Sequence, residues 1–511
     1  MLRPSALVPG LYARRRTALP TAAFAILFLA VLIAVLPLGT LLVVIGGSIL
    51  AAAVLLWPDT AFYLLIVAVP FGSLMPLPFA GANITAADGL LLVALAVWLA
   101  RGIARRQILV RPASLLLPFI VFLIAAGLSV TGALSLQASA KELYKWVEML
   151  AVYWLLVQTA SPLRTAGPAW HGKEQAAPRA RHFPANAWES EGGRIKLLLS
   201  VIFLAGLAEA LVGFYQYFLQ VGPEGFILGG GSLRAYGTFD QPNPYAGYLG
   251  LVIPLAFGVI LGSITLGRKL LSPSALALAA LACLSAAAML LALVFSMSRG
   301  ALLGVASALA VVVVIRSRRA AALAIAAALL VAIVALLGQL NVIPDVVTAR
   351  FAGVSDYINL QDMRDVKVTD ANYAIVERMA HWQAGLDMFQ AHPWLGVGIG
   401  NYAVVYPGYS LPHWDDPLGH AHNYYINILA EAGGVGLAGY LVLWGAIFWL
   451  AWRTVRETRG LAQGVAAGAA GVLVALSVHN LFDNLFVHSM QMQVGLTLGL
   501  IELLRGRGVY L

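Results

Sequence analysis

Long apolar runs follow one another along almost the whole chain, separated by short polar segments. A helix needs about 20 apolar residues to cross a bilayer, and roughly fourteen runs approach that length. We therefore predict an all-α, polytopic membrane helix bundle with about 12–14 transmembrane helices and one large extracytoplasmic loop. The predicted spans are 18–36, 38–57, 61–76, 86–103, 113–132, 142–160, 195–219, 243–264, 274–296, 300–315, 320–340, 424–452, 462–482 and 488–504.

The positions of the basic residues predict how these helices are oriented. Arg14, Arg15 and Arg16 precede the first span, and cytoplasmic loops of membrane proteins carry an excess of Lys and Arg. Alternation from a cytoplasmic start places 24 of the 32 Lys and Arg residues inside. We therefore predict a multi-pass membrane protein with both termini in the cytoplasm. The cations left outside are Lys141, Lys145, Arg234, Arg299, Arg350, Arg364, Lys367 and Arg378.

The spans and loops predict one integral membrane domain with five segments. These are N-terminal transmembrane helices at 1–160, a cytoplasmic linker at 161–194, helices with arginine loops at 195–340, an extracytoplasmic loop at 341–423 and C-terminal transmembrane helices at 424–511. The linker is rich in Pro, Ala, Gly and mixed charge, which is typical of an irregular connection.

Composition excludes a soluble globular protein. Hydrophobic residues make up 61% of the chain and charged residues 11%, whereas soluble domains are about 25% charged. The single cysteine, Cys283, excludes an intrachain disulfide and a cysteine-based metal site. In a membrane protein the arrangement of charges matters more than the net charge of +9. The predicted partners therefore include the lipid bilayer and no nucleic acid.

The outer loop contains one pattern of an amphipathic helix. Its apolar residues recur at three- and four-residue spacing: Ile375, Met379, Trp382, Leu386 and Phe389. The helix should end near His392, because the residue before a proline disfavours helical backbone. It could lie on the membrane surface or pack onto the helix bundle, and we favour packing onto the bundle.

Two arginines on the predicted outer side are candidates for binding an anion. Arg234 follows a glycine-rich stretch in a short loop, and Arg299 lies where one span ends and the next begins. The planar guanidinium group suits a phosphate or diphosphate and stays charged at any working pH. The alternative is that each arginine reaches the lipid headgroups or pairs with a carboxylate.

A histidine pair at the end of the outer loop is the candidate for acid–base chemistry. His422 could act as a general base, because its unperturbed pKa near 6.5 is close to neutral pH. The sequence leaves His420 open as the alternative base; if His422 is the base, His420 is a structural or substrate-contacting residue. A weaker alternative is a zinc or manganese site. Its ligands would come from His413, Asp415, Asp416, His420 and His422.

A further polar group lies at the outer end of the thirteenth predicted span. It consists of His479, Asn480, Asp483 and Asn484. Polar side chains at membrane depth are costly unless they are paired. We expect them to support the histidine site or to hold helices together.

Several of these stretches resemble motifs of the O-antigen ligase and polymerase superfamily. The sequence His422-Asn423, nine residues, Gly433, two residues and Gly436 is similar to the ligase pattern. The other similar stretches are 234–246 (Arg-Ala-Tyr-Gly-Thr-Phe through Pro-Asn-Pro-Tyr-Ala), 298–301 (Ser-Arg-Gly-Ala) and 392–398 (His-Pro-Trp-Leu-Gly-Val-Gly). The resemblance covers about residues 200–490.

The resemblance implies a membrane glycosyltransferase of the extracytoplasmic face. Such enzymes move a glycan from an undecaprenyl diphosphate carrier to an acceptor hydroxyl, with inversion at the anomeric carbon and without a nucleotide, metal or other cofactor. It implies that Arg234 and Arg299 hold the diphosphate and that His422 takes the proton of the acceptor. The substrate-binding residues expected beside them are His420, Asn423, Tyr236 and Asn243.

The sequence leaves alternatives of function open. Within the superfamily the acceptor could be lipid A–core or another glycan, as in lipopolysaccharide assembly by a ligase, or a second carrier-linked repeat, as in a polymerase. A different class is a small-solute, bicarbonate-like transporter. Against a transporter, the polar residues gather at one predicted face of the membrane instead of its midplane. The sugar and the oligomeric state stay open.

Overall fold

The structure is a computed structural model that describes residues 46, 50, 52–72, 77–79, 82–108, 110–159, 191–227, 231–267, 271–316, 362–369 and 372–505. The predicted spans 18–36 and 320–340, most of 38–57 and nearly all of the predicted linker lie outside these residues. Residues 1–60 form a unit separate from 61–511, and the architecture that follows is that of the larger unit.

Helices account for nearly all regular structure in the described residues. The α-helices are α1 (Asp59–Phe71), α2 (Ala86–Ala104), α3 (Leu116–Leu128), α4 (Leu136–Gln158), α5 (Glu191–Leu219), α6 (Pro242–Leu266), α7 (Pro273–Ser296), α8 (Arg299–Arg316), α9 (Tyr373–Ala391), the single turn α10 (Tyr402–Val405), α11 (Tyr424–Glu457), α12 (Gly460–His479) and α13 (Met490–Leu504). Short 3₁₀ turns lie at Ser129–Gly132, Glu224–Phe226, Met363–Asp365 and Tyr406–Gly408.

The prediction of a polytopic helical membrane protein is confirmed. Among the described residues, seven helices are long and apolar enough to cross a membrane, namely α2, α5, α6, α7, α8, α11 and α12. The helices α1 and α13 and the segment Leu116–Gly132 are shorter and apolar. Each predicted span from 61 onwards, except 320–340, coincides with one of the helices.

The structure corrects the sequence prediction at several span ends; the span predicted at 424–452, for example, continues to Glu457. The span predicted at 61–76 stops at Phe71, and an antiparallel hairpin follows, formed by β1 (Leu77–Phe79) and β2 (Ala82–Ile84). The span predicted at 142–160 begins earlier, at Leu136, because the Ser135 side chain accepts the Ala138 N–H and caps the helix. The span predicted at 462–482 ends at His479.

Glycines bring the central helices α6 and α12 into close contact. A Cβ atom on Gly258 would lie 2.3 Å from the carbonyl oxygen of Gly464, and one on Gly468 would lie 2.6 Å from that of Pro254. Only glycine allows such an approach of two backbones, which is how transmembrane helices pack without a hydrophobic driving force between them.

Helix α11 is interrupted at Gly433, and the loop after α9 pairs with the break. Gly433 has a φ of 64° and a ψ of −166°, which no longer continues the helical hydrogen bonds. Four backbone bonds of 2.9–3.2 Å join the break to the loop: Val397 N to Ala430 O, Gly398 N to Glu431 O, Gly434 N to Pro393 O and Val435 N to Trp394 O. The loop 393–398 thereby satisfies the polar groups that the break leaves buried.

We predict that Gly433→Ala destabilises the protein, because its Cβ would lie 2.3 Å from the carbonyl oxygen of Trp394 and would occupy a positive-φ conformation. Strain and overlap together should cost about 2 kcal/mol or more of unfolding free energy. The measurement is thermal unfolding of the purified protein in detergent. Gly445→Ala, in the same helix with no atom within 4 Å of the added Cβ, is the matched control. Equal midpoints for the two variants would contradict the prediction.

Candidate active site

Residues 419–423, which contain His420 and His422 and which we call the histidine loop, are held by hydrogen bonds at the start of α11. The side-chain oxygen of Asn423 accepts the N–H groups of Tyr425 and Ile426 and caps the helix. The side-chain oxygen of Asn427 accepts the N–H of Ala421 at 3.0 Å. His422 itself has a φ of 52°, so the chain turns sharply where its side chain leaves the backbone.

Asp483, in the segment between α12 and α13, faces both histidines of this loop. Its Oδ1 lies 3.6 Å from Nε2 of His420 and 3.8 Å from Nδ1 of His422, and the two imidazole rings are 4.5 Å apart. Burial alone would raise the pKa of Asp483, but the neighbouring imidazoles, His422 first, hold it below its usual range. Asp483 is therefore an anion at neutral pH that can stabilise a protonated His422. This contact confirms that part of the polar group after α12 supports the histidine loop.

His420 has a fixed tautomer. Its Nδ1 accepts the backbone N–H of His422 at 3.0 Å, so a neutral His420 ring carries its proton on Nε2. Burial lowers the pKa of His420 to about 4, although Asp483 opposes the shift, and the ring is neutral at neutral pH. His420 therefore contributes a structural contact within the loop and a hydrogen on the side of Asp483.

The metal alternative changes its ligands in the structure. The donor atoms of His420, His422 and Asp483 lie within 4.8 Å of one another. The predicted set shares the two histidines but contained His413, Asp415 and Asp416 in place of Asp483. A ligating nitrogen needs a free lone pair. Nε2 of His420 carries the proton in the tautomer just described, so binding a metal there would require breaking the loop's own hydrogen bond.

The predicted amphipathic helix forms as α9 and packs onto the bundle. The predicted apolar positions are not the face that it buries, because only Met379 of that set is among its buried residues. The buried side chains are Val376, Met379, Ala380, His381, Ala384 and Met388. His381 and Trp382 lie against the histidine loop: the His381 and His422 rings are 5.8 Å apart, and the Trp382 indole N–H donates to the carbonyl of His422 at 3.4 Å. The helix therefore forms one wall of the site.

The loop that carries Arg234 is fastened to α5 by two buried polar side chains. The side-chain oxygen of Gln216 accepts the N–H groups of Tyr236 and Gly237, and its amide donates to the carbonyl of Gly237. Glu209, fully buried in α5, accepts the N–H and the hydroxyl of Thr238. Sequence analysis did not single out Glu209 or Gln216, because polar residues within an apolar run give no sign of which loop they bind.

The guanidinium of Arg234 connects its own loop to the turn between α7 and α8. Its Nε donates to the carbonyl of Ser296 at 2.8 Å, and Nη2 donates to the side-chain oxygen of Asn243 at 3.0 Å. Arg299 lies three residues beyond Ser296, at the first position of α8, and is exposed. Its neighbour Gly300 packs so closely that a Cβ there would lie 3.1 Å from the ring of His479. The two arginine loops and the polar end of α12 thus meet at one end of the bundle.

Arg378, on α9, is a third cation of the site. Burial and then the positive charge of Arg378 lower the pKa of Arg234, whereas Asp483 raises it. Arg378 also acts on the pKa of His420. Among the described residues Arg378 has no hydrogen bond or ion pair. Sequence analysis counted Arg378 only among the outer cations. Its position one helical turn before His381 is the sequence signal that could have placed it near the histidine loop.

The remaining predicted contact residues have mainly structural partners. Asn243 orients Arg234, and Asn423 caps α11, as described above. The ring of Tyr236 packs 5.3 Å from that of Phe226, at the base of the arginine loop. A contact of these residues with substrate stays a prediction.

Part of the chain is similar to a known protein family. Residues 284–441 match the family model described as O-Antigen ligase. The match begins within α7 and ends within α11, so it includes Arg299, Arg378, His420 and His422. No curated protein matches the chain in sequence.

The fold and the site define a multi-pass membrane protein with cations and imidazoles gathered at one end of its bundle. The family match confirms the resemblance to the O-antigen ligase superfamily, whose ligases and polymerases are membrane glycosyltransferases. Residues 284–441 are therefore similar to O-antigen ligases, and Arg234 and Asp483 of the candidate site lie outside the matched residues.

We predict that the protein loses stability as the pH falls from about 6.5 to 4, and that His381 contributes to this loss. Burial is the main cause that lowers the pKa of His381 to about 4. Below about pH 6.5 the unfolded chain binds a proton that the folded one does not, so the free energy of unfolding decreases by up to about 1.4 kcal/mol per pH unit. The measurement is the unfolding midpoint against pH, which should depend less on pH in His381→Gln. His392→Gln, at the exposed end of the same helix, is the control; an identical pH dependence in both variants would contradict this assignment.

Proposed function

We propose that this protein transfers a glycan from an undecaprenyl diphosphate carrier to an acceptor hydroxyl at the extracytoplasmic face of the bacterial inner membrane. The observation that carries the proposal is the meeting of a partly buried histidine and a buried aspartate with partly buried and exposed arginines at one end of the bundle. A diphosphate needs cations, and a hydroxyl nucleophile needs a base, and these groups lie together here.

The chemistry follows from the positions of these groups. His422 removes the proton of the acceptor hydroxyl, and the acceptor oxygen forms a bond to the anomeric carbon. The bond from that carbon to the phosphate oxygen breaks, and the diphosphate leaves with the electron pair. Arg234, Arg299 and Arg378 stabilise the charge that develops on it. Attack opposite to the leaving group inverts the anomeric centre, and the proton passes from His422 to water.

His422 is a better base than His420 in this arrangement. Nδ1 of His422 lies on the side of Asp483, so Nε2 is the nitrogen available to the acceptor, and the carboxylate stabilises the imidazolium that forms. Nδ1 of His420 accepts a backbone hydrogen bond and its Nε2 carries the proton. This difference supports the general-base role of His422 and a positioning role of His420.

The arginines act by geometry as well as charge. Arg234 is already fixed by Ser296 and Asn243, so little reorganisation is needed when the diphosphate binds. Arg299 and Arg378 have no ion-pair partner among the described residues and can each present a planar fork to phosphate oxygens. Preorganised donors in a water-poor site supply several kcal/mol of transition-state stabilisation.

The distribution of basic residues supports the extracytoplasmic location of this site. The opposite loops are predicted to carry 24 of the 32 Lys and Arg residues, so the positive-inside rule favours the site end of the bundle as the outer end. A polymerase of the same superfamily, which adds carrier-linked repeats to one another, would use the same groups. The identity of the acceptor distinguishes it from a ligase.

The first experiment is a reconstituted transfer assay with purified protein, undecaprenyl diphosphate-linked glycans and candidate acceptors, without nucleotide or added metal. Free carrier diphosphate and a longer or acceptor-linked glycan should appear with the wild type. His422→Ala should reduce the rate by about 10²–10⁴-fold, because a positioned base is lost. The exposed His413→Ala, in the same loop, is the matched control and should keep the wild-type rate.

Two further arms make this assay decisive. A chelator should leave the rate unchanged, and inactivation that one metal ion restores would favour the His420, His422 and Asp483 metal site. No transfer with any of a broad panel of donors, combined with solute flux into proteoliposomes, would show that the protein is a transporter and not a glycosyltransferase.

We predict that Arg299→Lys lowers the transfer rate by about 10²-fold although the charge is kept, because the ammonium cannot bind a diphosphate with two parallel hydrogen bonds. The same assay measures the effect. Arg364→Lys is the matched control, since Arg364 is exposed and pairs with Asp362 at 3.1 Å in the same outer loop. Wild-type turnover by Arg299→Lys would remove the diphosphate-binding role of Arg299.

A further inference from the structure

The end of the bundle opposite the candidate active site contains two adjoining cavities. They have volumes of about 560 and 490 Å³ and share Arg316 and Gln463 as lining residues. Helix α8 relates the two ends: Arg299 is its first residue and Arg316 its last. Its 18 residues rise about 27 Å. This is close to the hydrocarbon thickness of a bilayer, so the cavities lie at the other membrane interface.

The lining of these cavities is cationic and has no acidic residue among the described ones. Arg316, Arg456 and Arg459 line them, and we call this region the basic cleft. Nη2 of Arg316 donates to the hydroxyl of Thr265 at 2.9 Å, whereas its Nη1 is buried without a hydrogen-bond partner. The guanidinium of Arg456 lies 5.4 Å from the ring centre of Trp452.

Nearby arginines outside the basic cleft, in contrast, do have a carboxylate partner. At the same end of the bundle, Arg453 and Arg505 both pair with Glu457, at 2.8 and 3.2 Å. None of the three arginines of the basic cleft has an ion pair in the described part of the chain. Glu457 therefore neutralises the arginines outside the cleft. The arginines within the cleft have no carboxylate partner in the described residues and can bind an external anion.

The apolar part of the lining indicates what kind of anion fits. Leu261, Leu266 and Val313 line the first cavity, and Val455 lines the second, beside the arginines. A free phosphate would leave these walls without a partner, whereas a phospholipid places acyl chains against them and its phosphate at the guanidinium groups. Basic pockets between transmembrane helices at this depth suit anionic headgroups.

We propose that the basic cleft binds one anionic phospholipid, with its phosphate at Arg316 and Arg459 and its acyl chains along α6 and α8. This site is separate from the glycosyl-transfer site by the length of α8. The proposal does not depend on the proposed function, and its test needs no transfer activity.

The test is native mass spectrometry of the full-length protein titrated with phosphatidylglycerol, and with phosphatidylcholine of the same acyl chains. The double variant Arg316→Gln with Arg459→Gln should raise the apparent Kd for phosphatidylglycerol at least tenfold. The charge-matched control is Arg453→Gln with Arg505→Gln, which removes two cations outside the cleft and should change that Kd less than twofold. Phosphatidylcholine should bind the wild type at least tenfold more weakly than phosphatidylglycerol.

Three results would overturn the proposal. These are equal phosphatidylglycerol binding by the two double variants, equal binding of the two lipids by the wild type, and displacement of the lipid by millimolar inorganic phosphate, which would indicate a simple anion site. If the cleft variant does not fold, as judged by its unfolding midpoint, Arg459→Gln alone replaces it, because Arg459 is exposed and has no other described contact to lose.

Discussion

The break of α11 at Gly433 is the constraint on which the candidate site depends. Inside an apolar bundle, a helix cannot leave backbone groups without partners, so the loop 393–398 must lie against the break. That loop directly follows α9, which carries Arg378 and His381, and α11 begins directly after His422. The four backbone hydrogen bonds therefore fix α9 and the histidine loop in one arrangement. The stretches 392–398 and 422–436, which both resemble motifs of the superfamily, form the two sides of this one contact.

A second constraint is electrostatic. The site end of the bundle brings together three arginines and two histidines with Asp483 as the carboxylate that faces the imidazoles. Asp483 interacts mainly with the two imidazoles, and its negative charge compensates the positive charge of Arg234 only in part. Such an imbalance inside a bundle is costly unless an anion completes it. Asn243, Gln216 and Glu209 position the loop that carries Arg234. Within the part of the chain that the structure describes, no carboxylate forms an ion pair with the three guanidinium groups.

The sequence was sufficient for much of the fold and for part of the site. Apolar runs predicted the helices because a helix that crosses lipid is apolar along its whole length. The three- and four-residue spacing of apolar residues predicted the helix α9. The end of α1 was missed because its apolar run continues into the hairpin. His422, Arg234 and Arg299 could be selected because polar residues at a membrane boundary need a reason to be there. Glu209 and Gln216 could not, since the partner of a polar residue within a helix is set by packing that no local pattern encodes.

The proximity of Arg234 and Arg378 has a consequence for how the protein can change. Each guanidinium lies in the positive field of the other, so the folded protein without substrate holds an unfavourable interaction that the unfolded chain does not. Selection for thermal stability alone would favour a neutral residue at one of the two positions and would remove the proposed anion site. In the proposed function, stability and anion binding are therefore opposed at this end of the bundle. Retention of both arginines in a stable variant then requires compensation elsewhere, for example in the contact between α6 and α12.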